Sequence, residues 1–99
     1  MEKLQVAKTI MEQLGGGMFA VMTGAKNFVG SSDGVSFKIG TNAKKVSHVR
    51  VTLNGSDLYD LKFLRIRGTS VQTVAEESDV YAEDLRKLFT ANTGLYTRL

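Results

Sequence analysis

Ninety-nine residues suffice for one domain and leave no room for two good cores, so residues 1–99 are read as a single domain. Apolar residues at 42%, charged residues at 23% and the lack of any cysteine exclude a disordered chain, a disulfide framework and thiolate metal chemistry. The net charge of +3 is unevenly spread, because residues 24–69 hold eight basic side chains against three acids while residues 70–99 hold three against five.

Residues 2–14 set Leu4, Ala7, Ile10, Met11 and Leu14 at helical spacing, with Lys3, Lys8, Glu12 and Gln13 mostly opposite. This predicts an amphipathic helix that stops at Gly15, Gly16 and Gly17. The mixture of charge and apolar residues is not that of a signal peptide, and no apolar run approaches the roughly 18 residues of a membrane span. A soluble protein of a reducing, cytoplasmic compartment is expected.

MFAVMT (18–23) is too brief an apolar run for a helix and reads as a buried strand, with Phe19 and Val21 on one side and Met18, Ala20 and Met22 on the other. The methionine side is either covered by a helix or loop or left for a partner. The following Gly24, Asn27, Gly30 and SSDG (31–34) suggest a phosphate loop at first sight. A P-loop needs a lysine and a hydroxyl directly after its last glycine, at a helix N-terminus, and here another strand follows. The segment therefore reads as connection chemistry.

GVSFKIG (34–40) and SHVRVTLNG (47–55) alternate, with Val35, Phe37, Ile39, Val49, Val51 and Leu53 inward and Ser36, Lys38, His48, Arg50 and Thr52 outward. After the NGSD turn, residues 57–68 change phase: Tyr59, Leu61 and Phe63 share a face, then Leu64 and Ile66 take over. A β-bulge near Phe63 and Leu64 would return both sets to the core and leave Asp60, Lys62, Arg65 and Arg67 outside. A fifth strand is expected at 69–76, and Ser78 or Asp79 can cap a helix lined by Tyr81, Leu85, Leu88 and Phe89 that ends at Gly94. Leu95 and Tyr96 can then pack back on the body. The fold class is α+β: an N-terminal helix, a four- or five-stranded antiparallel meander and a C-terminal helix.

The chemistry-bearing residues are few. His48 is the single histidine, and although Ser36, His48 and Asp60 can be drawn as a triad, no nucleophile elbow accompanies them. One histidine, no cysteine and scattered carboxylates serve a metal poorly. No cofactor and no catalytic residues are expected. What remains is a basic sheet face of Lys38, His48, Arg50, Lys62, Arg65 and Arg67, with Lys26, Lys44 and Lys45 on neighbouring loops. Strands about 4.8 Å apart would gather these groups into a patch suited to nucleic-acid phosphates. Solvent-facing cations also serve solubility, and no aromatic joins the patch except Phe28 nearby. A protein partner is the other expectation, met through Met18, Met22 and Phe28, and a homodimer through a sheet edge fits either.

QLGGGMFAVMTGAKNF (13–28), LYDLKFLRI (58–66) and VYAEDLRKLFTANTGLYTRL (80–99) resemble a family of small bacteriophage and prophage proteins, with MTGAKNF and TGLYT the most specific parts. The resemblance spans nearly the whole chain and carries no catalytic or binding residues with it. It implies a short phage-type accessory protein of the bacterial cytoplasm, which binds DNA or RNA or binds and redirects a host protein such as a defence complex.

Overall fold

The structure is a computed structural model that describes residues 5–97. Its elements are α1 (Gln5–Leu14), α2 (Gly16–Thr23), β1 (Lys26–Gly30), β2 (Gly34–Lys38), β3 (His48–Leu53), β4 (Tyr59–Arg67), β5 (Ser70–Val80) and α3 (Leu85–Thr93), the last preceded by a 3₁₀ turn, Ala82–Asp84. The strands form one antiparallel meander in the order β1-β2-β3-β4-β5. The α+β architecture expected from the periodicities is the one observed. Lys3 and Leu4 of the expected first helix lie outside the described residues.

One face of the sheet carries the core. Val35, Phe37, Val49, Val51, Leu61 and Phe63 pack with Ala7, Ile10 and Leu14 of α1, Phe19 of α2, and Leu85 and Phe89 of α3 in a single cluster. Phe19 sits at its centre, edge-on to Phe37 at 5.5 Å and to Phe89 at 5.0 Å, a favoured aromatic geometry. Among the described residues the helices all pack on this face, and none covers the opposite one.

Several expectations are corrected. The apolar run 18–23 is not a strand. Gly16 and Gly17 join it, which lengthens it to an eight-residue helix, and its burial follows the helical period: Phe19 and Thr23 are buried one turn apart. Met18 and Val21 consequently face outward, 48% and 80% exposed, and no sheet face of methionines exists. The first strand is instead KNFVG, inside the segment expected to be connection only, and Ser31 to Gly34 make the tight turn after it, with the Ser31 N–H donating to the Gly34 carbonyl at 2.9 Å.

The bulge opposite Phe63 and Leu64 has its extra residue, Val74, on β5, not on β4. Because β5 absorbs the irregularity, β4 alternates without a break. Leu64 and Ile66 stay on the open face beside Val71, and Arg65 and Arg67 fall on the parity of Phe63, opposite to Lys62. β5 also runs past the expected cap, so Ser78 and Asp79 are strand residues. A second irregularity there places Asp79 at φ 55°, and the helix begins only after Tyr81.

Candidate functional site

The register assembles the basic face row by row. Lys26 pairs with Lys38 across β1 and β2, Lys38 with His48 across β2 and β3, and His48 with Leu64 on β4. In the neighbouring row Ser36 pairs with Arg50, Arg50 with Lys62, and Lys62 with Glu76 on β5. Directly opposed side chains hold their Cβ atoms about 4.5–5.5 Å apart, and like charges so placed destabilise a sheet. Lys26, expected on a loop, thus becomes a member of the face, and Lys38, His48, Arg50 and Lys62 stand where alternation set them.

Arg65 and Arg67 do not join that face, yet they remain near it. A groove of about 360 Å³ at the end of the sheet is lined by Lys38, Lys45, Arg65 and Arg67 together with Gly40 and Asn42. Lys38 belongs to both face and groove, so the basic surface bends around the sheet's end. The 41–47 connection that forms the groove is organised by Asn42, whose Nδ2 donates to the Gly40 and Val46 carbonyls while its Oδ1 accepts from the Val46 N–H. Arg65 holds the loop from beneath, donating from Nε to the Lys45 carbonyl at 3.0 Å and from Nη2 to the Lys44 carbonyl at 3.3 Å. Carbonyl partners neutralise no charge. Lys45 is kept left-handed at φ 59°, a conformation costly for a side chain other than Gly, Asn or Asp. Lys44 is exposed on the same loop.

His48 shares a 2.8 Å hydrogen bond between its Nδ1 and the Ser47 hydroxyl, which itself accepts from the Ile66 N–H at 2.8 Å. Burial first, and then the Lys38 ammonium, push the imidazole below its usual pKa of 6.5. The triad drawn from the sequence does not form: Ser36 pairs with Arg50, His48 with Lys38 and Leu64, and Asp60 with Thr52. Asp60 is engaged elsewhere, accepting from Asn54 Nδ2 at 3.0 Å and from the Asp79 N–H at 3.1 Å.

The three residues assigned to a protein partner do not form one surface. Met18 is exposed on α2, Met22 is half-buried, and Phe28 lies on β1 with its ring 5.6 Å from that of Phe37. Phe28 is therefore on the helix side of the sheet, and among the described residues the basic face has no aromatic side chain. No helix among the described residues is long and apolar enough to cross a membrane. No family model, curated protein or solved structure matches the chain.

Proposed function

We propose that this protein is a non-catalytic phage-type accessory protein that binds nucleic acid by its phosphate backbone, through the open sheet face and the groove at its end. The observation that carries the reading is the row arrangement, in which Lys26, Lys38 and His48, and then Arg50 and Lys62, oppose one another directly across strands. The Lys26–Lys38 and Arg50–Lys62 pairs cost stability in the free protein, the second relieved in part by Glu76 opposite Lys62, and phosphates laid along them remove what is left. Without an aromatic platform, bases have nothing to stack on, so the binding is insensitive to sequence. The phage-like segments support the same reading, since accessory proteins of that kind act on DNA, RNA or host machinery.

Fluorescence anisotropy with labelled duplex and single-stranded oligonucleotides over a salt series tests it. About five phosphate contacts on duplex give a log–log salt slope near −4.5. Arg50→Glu and Lys62→Glu are each expected to lower the affinity and reduce the slope by about 1. Reversal at Arg86 and Lys87, which are exposed on α3 away from the face, leaves both unchanged. Binding that is absent at low ionic strength, or equally sensitive to the α3 reversals, refutes the proposal.

A second reading, a protein-binding modulator, is favoured by one observation, the exposure of Met18 and Val21 on α2. It predicts a stoichiometric host protein retained after nuclease treatment and lost with Val21→Lys.

A further inference from the structure

We infer that two copies of this chain join through β1 into one continuous antiparallel sheet, with the two-fold axis at Val29. β1 is an edge of the sheet, and all five of its residues are exposed. The direction of its backbone groups follows from the hydrogen bonds further in. The Leu53 N–H donates to the Asp33 carbonyl, which makes Asp33 and Leu53 a bonded pair, and alternation along β2 then turns the backbone groups of Val35 and Phe37 toward β3. Gly30, opposite Val35, and Phe28, beside Phe37, are left without β2 partners. Their own N–H and C=O groups face the open edge.

A two-fold at Val29 uses this pattern. Antiparallel pairing then sets Phe28 of each copy against Gly30 of the other as the bonded pairs, with the two Val29 side chains adjacent between them. The Phe28 ring covers a glycine that has no side chain to offer, an arrangement that stabilises glycine in strands. Val29, 64% exposed in the single chain, becomes covered.

The helix above the edge supplies the second argument. A groove of about 390 Å³ runs between α1 and β1, with Met11, Phe28 and Val35 in its wall and Lys8 and Glu12 on its rim. The same two-fold sets the two α1 helices antiparallel across that groove, which brings Lys8 of each toward Glu12 of the other. Apolar wall and rim charges are thus both self-complementary. β5, the other edge, is unsuited to such pairing, because its two irregularities and its acidic Glu76, Glu77 and Asp79 interrupt it. The inference stands apart from nucleic-acid binding, although edge pairing of this symmetry keeps both basic faces on one side.

Sedimentation equilibrium of the full chain over a dilution series tests it. The expected result is a species of twice 10.8 kDa that dissociates on dilution. Val29→Lys, at an exposed position, halves the mass while circular dichroism stays unchanged. Lys8→Glu also yields monomer, and the exchange Lys8→Glu with Glu12→Lys restores the dimer. A wild-type chain that stays at monomer mass at its highest soluble concentration overturns the inference. So does a Val29→Lys variant that remains dimeric, or a charge exchange that folds without recovering the dimer.

Discussion

Two residues of the basic surface are held away from their ordinary states, Lys45 in its backbone and His48 in its protonation. Lys45 sits at φ 59° with its carbonyl engaged by Arg65, a backbone geometry natural to glycine. Lys45→Gly is expected to raise stability by about 1 kcal/mol, read as a shift in the urea midpoint, while weakening nucleic-acid binding through loss of a groove cation. A gain in stability without any loss of affinity would take Lys45 out of the site. His48 is the other, its pKa depressed by burial and by Lys38. A histidine held below its unfolded value takes up protons more readily when the chain unfolds. Its contribution to stability is complete above pH 6.5 and is lost as pH falls through the lower native value. Phosphate bound nearby reverses the shift, so binding takes up a proton. Affinity should rise on going from about pH 7.5 to about pH 5.5, by up to about tenfold for one charge-assisted contact, and His48→Gln should flatten that rise. Identical pH profiles for the two proteins would place His48 away from the phosphate.

At the level of elements, Gly34 shows how tightly β2 and β3 meet. A Cβ at Gly34 would run into the Val51 carbonyl oxygen, so Gly34→Ala must push the two strands apart at the turn entrance. The expected cost is about 1–3 kcal/mol of unfolding free energy in urea, and an unchanged midpoint would show that the strands open freely there. These strands were legible in the sequence because one of their faces is wet and the other dry, which writes the period of two directly into Val35, Phe37, Val49 and Val51. α2 was not, because MFAVMT is apolar all round and satisfies either period. Its helical character depends on Gly16 and Gly17, residues that read as a break. β5 was legible as a strand over 69–76 but not to its end at Val80, because an edge strand with exposed residues on both faces and two irregularities carries no alternation that fixes its length. That bulge also decided part of the site. Whether Val74 or a β4 residue is the extra one sets the side on which Arg65 and Arg67 emerge, and only pairing, a long-range property, decides it.

For the molecule as a whole, helices gathered on one face of the sheet mean that a single core must hold every element while the opposite face stays free for charge. Phe89 is the residue through which this is tested. It is fully buried, meets Phe19 of α2 at 5.0 Å and Phe63 of β4 at 6.5 Å, and so ties α3 and α2 to the sheet. Phe89→Ala removes a ring from a site that cannot collapse without moving α3, at a cost of about 3–5 kcal/mol against the roughly 5–15 kcal/mol that stabilises a domain of this kind. At about 4–8 °C per kcal/mol, the melting temperature falls by about 12 °C or more. Because helices and sheet share the core, far-ultraviolet and near-ultraviolet circular dichroism should report the same lowered transition. Below that transition the variant should bind nucleic acid as the parent does, since Phe89 lies on the far side of the sheet from Arg50 and Lys62. Separate transitions for helix and sheet would show that the elements do not share one core, and weaker binding by the folded variant would show that the open face depends on the packing behind it.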